Sequence, residues 1–217
     1  MAVSDVNGDF TYEDVYLRSW DLAKGILGLL GSGGPGQRVA FLCTPGLTHV
    51  LATWACWLAG HIAVPLCPSS TLARLQHQVV DSTCTLVITT REHADTLLPI
   101  TRQHGQRVIV LDDTWWADPR VADPSEPLPP PLLEYESVDS DAAVLLYSGG
   151  GCSGVPRGVV VSHGVMAGQI GRVVEAWDWA QQDSVLHCLG LGSSYGLINS
   201  LQVFVTILCK SVTWTIN

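Results

Sequence analysis

Glycine, serine, cysteine and arginine gather in "VLLYSGGGCSGVPRGVVVSHG", residues 144–164, where an apolar run enters a glycine-rich loop and a second β-branched run leaves it. Gly149, Gly151 and Gly154 satisfy G-x-G-x-x-G, the spacing of a dinucleotide-binding turn. That chemistry needs the third glycine to open a helix, whose N-terminal N–H groups and dipole meet the pyrophosphate. Here Gly154 is followed by Val155, Pro156, Arg157 and Gly158 and then by "VVVS", which predicts a strand instead. A Walker-type loop fails as well, because no Gly-Lys-Ser/Thr closes the loop and no helix follows it. What remains is a glycine-serine loop between two strands with a cation, Arg157, near its far end. Backbone N–H groups, hydroxyls and one Arg can wrap a polyphosphate without a helix dipole. An ordinary glycine-rich hairpin with a solvated Arg is the alternative that spacing alone leaves open.

The elements that must position this loop follow from periodicity and punctuation. Thr11 stands three residues before Asp14, an approximate capping box, and opens a helix through Leu30 with Tyr16, Trp20, Ala23, Leu27 and Leu30 expected near one face. Strands "RVAFLC", "AVPL", "TLVITT" and "RVIVLDD" then alternate with helices at about 47–59, 71–82 and 92–103. The first of these helices is apolar nearly all round, which predicts burial between layers. After a break come strand "AVLLYS", the glycine loop, strand "GVVVSH", a helix over about 165–176, strand "SVLHCLG", helix "YGLINSLQVFVTILC" and strand "SVTWTI". Strands separated by helices of this length predict βαβ units and a mostly parallel sheet. The break itself, at about 114–140, holds six of the twelve prolines between Pro119 and Pro131, too many for a sheet interior. It predicts an acidic, exposed linker rather than a docking segment for a proline-reading domain.

Composition narrows the function classes. At 217 residues, 47% hydrophobic and 14% charged, the chain can bury a substantial core. Its net charge of −9 and eleven scattered basic residues argue against nucleic acid. Between Asp112 and Asp141 there are nine acidic residues and one basic residue, Arg120, so the acidity belongs to the linker. Seven cysteines without a C-x-x-C pair, and seven dispersed histidines, predict buried thiols and no structural metal. The longest apolar stretch, "VLATWACWLAGHIAVPLC", is broken by His61 and Pro65 and predicts a buried helix, a turn and a strand rather than a membrane span. The first residues show neither a secretory signal nor an Arg-rich transit peptide.

"YSGGGCSGVPRGVVVSHG" resembles the phosphate-binding signature of the adenylate-forming (AMP-binding) acyl-CoA synthetases, usually Y-T-S-G-T-T-G-x-P-K-G followed by an apolar strand and a Ser/Thr-His pair. The segments "FTYEDVYLRSWDLAKGI", "RVAFLC", "TWACWLAGHIAVPL", "WDWAQQDSVLHCLGL" and "YGLINSL" fall where these enzymes have counterparts, nearest to the mitochondrial malonyl-CoA synthetase branch. The resemblance implies an α/β fold: an incomplete, N-terminal part of the family's large domain, with mostly parallel sheets layered with helices. That domain would occupy residues 10–217 with the linker at 114–140, and the family's C-terminal domain would be absent. It also implies a ligase using ATP, Mg²⁺ and coenzyme A on a small acid such as malonate or methylmalonate, in the mitochondrial matrix or, without a visible transit peptide, in the cytoplasm. Gly149, Gly150, Gly151, Cys152, Ser153, Gly154, Val155, Pro156 and Arg157 would hold the phosphates, with Arg157 where the family has Lys or Arg. Ser193, Ser194, Tyr195 and Gly196 would lie at the acyl site.

The departures from the family's pattern matter as much. Cys152 replaces a loop threonine, and one extra residue separates Tyr147 from the matching part of the loop. Gly192, Ser193 and Tyr195 stand where the branch has histidines in P-L-H-H-x-H-G. The 217 residues also end before the family's adenine-binding Tyr-Gly-x-Thr-Glu segment and its catalytic Lys. A partial ligase, inactive by itself, is therefore expected, with a non-catalytic remnant as the alternative. A Rossmann-type oxidoreductase is the reading from a different class, and nicotinamide binding would mark it.

Overall fold

Local signals account for most of the elements. The computed structural model describes residues 2–31, 34–117, 128–129, 132, 139–149, 154–203 and 211–214. Helix α1, Tyr12–Leu30, starts where the capping box places it: Asp14 N–H donates to Thr11 Oγ1 at 3.1 Å and Thr11 N–H to Asp14 Oδ2 at 2.8 Å. Its buried face is centred on Val15, Ser19, Leu22 and Ile26, rotated from the face expected around Tyr16, Trp20 and Leu27. The reason is that two polar side chains, Arg18 and Ser19, go inward, and Arg18 donates to the Trp115 carbonyl and sits 5.6 Å from the Phe10 ring centroid. Apolar periodicity assigns such residues to solvent.

Strands β3 (Arg38–Leu42), β4 (Ile62–Pro65), β5 (Leu86–Thr90), β6 (Arg107–Leu111), β7 (Ala142–Tyr147) and β8 (Gly158–Ser162) form one sheet in the order β6-β5-β3-β4-β7-β8. Every pairing is parallel except β7 with β8. Both faces are covered, as a parallel sheet requires. Val39, Phe41, Ile88 and Leu146 belong to a core shared with α1 and α2 (Leu47–Leu58), whereas Ala40, Leu42, Val87, Leu145 and Tyr147 belong to a second core under α3 (Leu72–Asp81) and α4 (Arg91–His104). No residue of α2 is exposed, in line with its all-round apolar sequence.

The register of β7 against β8 shifts between Ala142 and Val144. Ala143 and Val144 accordingly share one core, and alternation resumes beyond them so that Tyr147 faces α3. A one-residue bulge thus sets which way the strand end feeding the glycine loop points.

Two strands had no counterpart in the periodicity. β1 (Val3–Asp5) and β2 (Gly8–Phe10) form a hairpin over the first ten residues, and β1 pairs in parallel with β10 (Ser211–Trp214), itself parallel to β9 (Ser184–His187). Asn7-Gly8 is the turn signal that marks the hairpin. Asp5 reaches back to accept from Leu47 N–H at 2.7 Å, supplying α2 with the N-terminal acceptor that Gly46 lacks. Two helices complete the description, α5 (Thr114–Ala117), a single turn at the start of the expected linker, and α6 (His163–Trp177). The rest of that linker lies mostly outside the described residues. Where an α-helix was expected from Tyr195, the backbone instead forms a π-helix over Tyr195–Gln202.

Candidate functional site

The glycine loop leaves β7 and returns in β8, the strand–loop–strand arrangement expected from Val-Pro-Arg-Gly-Val. Its stems are tied: Ser148 N–H donates to Arg157 O at 2.9 Å, and Arg157 N–H to Ser148 Oγ at 3.2 Å. Gly154 sits at φ +68°, a conformation that favours glycine. The residues 150–153 between the stems, among them Gly150, Gly151, Cys152 and Ser153, lie outside the described residues.

Beneath the stems opens a cavity of about 780 Å³. Tyr147, Gly149, Gly154, Val155 and Pro156 form its roof. Its floor comes from the turn after β4 and from α3, through Cys67, Ser69, Ser70, Thr71, Ala73, Arg74 and His77, and its far wall from Gly190, Gly192 and Ser193. Of the residues singled out from sequence, Gly149, Gly154, Val155, Pro156 and Ser193 meet at this cavity. Arg157 is exposed and does not line it, and neither do Ser194, Tyr195 and Gly196.

Helix α3 grips both stems of the loop. Arg74 Nη2 donates to Ser148 O at 2.8 Å, His77 Nε2 lies 3.0 Å from Pro156 O, and Tyr147 Oη donates to Asp81 Oδ2 at 2.8 Å. Burial first, then the Asp81 carboxylate, push the Tyr147 phenol up, so it stays a donor. The helix starts at Thr71, whose hydroxyl accepts from Arg74 N–H at 3.4 Å, and it is anchored by buried Leu75, Gln78 and Val79. Arg74 and His77, three residues apart, therefore share the face turned to the loop. Both were missed from sequence; their i,i+3 spacing after a threonine cap is the signal available, and it carries no hint of a partner more than seventy residues away.

The far wall is a tight turn. Ser193 Oγ donates to Gly190 O at 2.9 Å, Gly196 N–H donates to Ser193 Oγ at 3.2 Å, and His187 Nε2 lies 3.1 Å from Gly196 O. Ser193, expected at the acyl site, bridges the turn to the first residues of the π-helix. Burial lowers the His187 pKa, so near neutral pH its ring is uncharged. Among the described residues, no group of three or more His, Cys, Asp or Glu could hold a metal, and no helix is long and apolar enough to cross a membrane.

A family model described as AMP-binding enzyme matches residues 1–215. The chain belongs to the AMP-binding enzyme family. Within it, the chain is 32% identical over 205 residues to the mitochondrial malonate–CoA ligase ACSF3 of Xenopus laevis, covering 93% of this chain and 35% of that protein. It is 31% identical to the human protein of the same name, covering 93% of this chain and 34% of that one. The chain thus spans about a third of the length of the curated relatives it matches. Among solved structures, MatB from Rhodopseudomonas palustris superposes with a TM-score of 0.80 at 22% identity, over 99% of this chain and 42% of that one. VinN in complex with 3-methylaspartate gives 0.78 at 23% identity, over 98% of this chain and 56% of that one. At these identities the structural likeness establishes the fold.

Proposed function

We propose that these 217 residues supply the phosphate loop and part of the acid pocket of an ATP-dependent acid–CoA ligase acting on a small dicarboxylate such as malonate or methylmalonate. The observation that carries the reading is the pair of antiparallel strands β7 and β8, whose loop stems at Tyr147, Gly149 and Gly154–Pro156 line a cavity with the Gly190–Ser193 turn as its far wall. Likeness to proteins named malonate–CoA ligase, and to a MatB structure described as ATP bound, supports the choice of acid and nucleotide. The mitochondrial location named for the animal relatives belongs to the same proposal.

In this reading the substrate carboxylate attacks the α-phosphorus of ATP, the bond to the β-phosphate oxygen breaks, and pyrophosphate leaves. The acyl-adenylate is then opened by the thiol of coenzyme A, releasing AMP. Little of this needs covalent help from the protein; it needs positioning and charge neutralisation. The described roof and floor fit a polyphosphate: glycine backbone at Gly149 and Gly154, the hydroxyl-bearing Ser69, Ser70 and Thr71, and no carboxylate among the described lining residues. Mg²⁺ would arrive on the nucleotide's phosphates and neutralise their charge. Ser193 and the Gly190–Gly192 backbone would face the acyl end.

The reaction needs ATP held at base and ribose as well as at its phosphates, so the 217 residues alone are expected to bind Mg-ATP weakly and to release no pyrophosphate with malonate, methylmalonate or acetate. Fusion to the remainder of a malonate–CoA ligase should restore release with malonate. Failure of that fusion, with the chain folded, would favour a non-catalytic remnant, the second reading, to which Cys152 for threonine and Gly192, Ser193 and Tyr195 for histidines already point.

A further inference from the structure

The geometry points to Arg74 of α3, rather than Arg157 of the loop, as the side chain that grips the phosphates in the cavity. This rests on the phosphate reading above and deepens it by naming the cation. In a chain of net charge −9, Arg74 is the one permanently charged side chain among the described residues that line the cavity. Among the described residues it has no carboxylate in ion-pair range. A guanidinium carries five N–H donors. Arg74 spends one on Ser148 O at 2.8 Å, and its Nε is buried without a partner. Nε is closed off by its surroundings, so the donors left for a ligand are those of Nη1 and Nη2. Phosphate oxygens match its planar fork.

The placement is enforced from three sides. Arg74 is fixed at the start of α3 by the Thr71 cap, beside the loop's first stem by its bond to Ser148 O, and one helical turn from His77, which holds the second stem at Pro156 O. Arg157, in contrast, is exposed, and its backbone is committed to closing the loop against Ser148. The family-like loop cation therefore sits outside the cavity, while the floor supplies a cation that the loop motif does not include.

The test is binding of Mg-ATP, tripolyphosphate and AMP to the 217-residue chain, followed by phosphorus-31 NMR line broadening, which registers millimolar affinity. Arg74→Gln should weaken ATP and tripolyphosphate by about tenfold to hundredfold, the range for a lost charge-assisted contact, and remove the preference of the chain for ATP over AMP. Arg74→Lys should recover part of the loss, Arg157→Ala should lose less than Arg74→Gln, and Arg102→Ala, an exposed cation on α4, should change nothing. In the parent chain, the Arg74 Nε–H resonance should move on adding tripolyphosphate, a readout that requires no variant to fold. An unmoved resonance, or an Arg74→Gln chain that binds like the parent, overturns this inference and leaves the phosphate reading standing. A parent chain that binds neither ATP nor tripolyphosphate overturns both.

Discussion

Replacing Gly196 by alanine should open the far wall of the cavity, and the structure sets the size of the effect. A Cβ built at Gly196 falls 2.3 Å from Gly190 O and 2.9 Å from Gly190 C. Ordinary contact begins near 3.4 Å, so about 1.1 Å of separation must be created against backbone atoms that cannot rotate aside. The turn that must give is held by Ser193 Oγ on Gly190 O, by Gly196 N–H on Ser193 Oγ and by His187 against Gly196 O. Losing the better part of this network, at about 1 kcal/mol per bond, and overpacking a closed turn should together cost about 2–3 kcal/mol. The same substitution at Gly171, on the exposed side of α6 with nothing within 4 Å, should instead stabilise by about 0.5–1 kcal/mol, because alanine restricts the unfolded chain and suits a helix. Urea unfolding followed by the fluorescence of the eight tryptophans reads both. The two midpoints should move in opposite directions. A Gly196→Ala chain as stable as the parent would refute the close approach of residues 190 and 196, and with it the far wall described above.

Two further outcomes follow from buried groups. His49, in α2 with its ring centroid 5.0 Å from that of Phe41, has its pKa lowered to about 3 by burial and by nearby His187. An unfolded imidazole titrates near 6.5, so below that pH the unfolded chain takes a proton the folded chain refuses, and stability should fall by up to about 1.4 kcal/mol per pH unit until about pH 3. Urea midpoints at pH 7.5, 6 and 5 should show this slope in the parent and a shallower one in His49→Leu; equal slopes would contradict the burial. Tyr147→Phe removes the bond to Asp81 and should cost about 1 kcal/mol, with weaker Mg-ATP broadening because α3 loses a tie to the loop's first stem. Unchanged stability and binding would show that the tie is idle.

Features that depend on near neighbours in the chain could be read from the residues. The cap at Thr11, the alternation of strands and helices, the all-round burial of α2 and the strand after Gly154 were legible because dihedral preference, capping and turn chemistry act over a few residues. The loop motif was legible for the same reason: the β-branched run Val159–Val161 after Pro156 and Gly158 favours a strand. Tertiary structure decided the rest. Arg18 and Ser19 turn inward only because Trp115 and Phe10 lie across from α1, so the helix face could not be centred from the helix alone. β1 becomes a sheet strand by pairing with β10, some two hundred residues on. The phase of β7, and so the direction of Tyr147, is set by a bulge that pairing with β8 creates. Arg74 and His77 join the site because the sheet order brings α3 against the ends of β7 and β8, across more than seventy residues of chain. Sheet order and packing are chosen by the whole core at once, and no local window of sequence contains the atoms that make that choice.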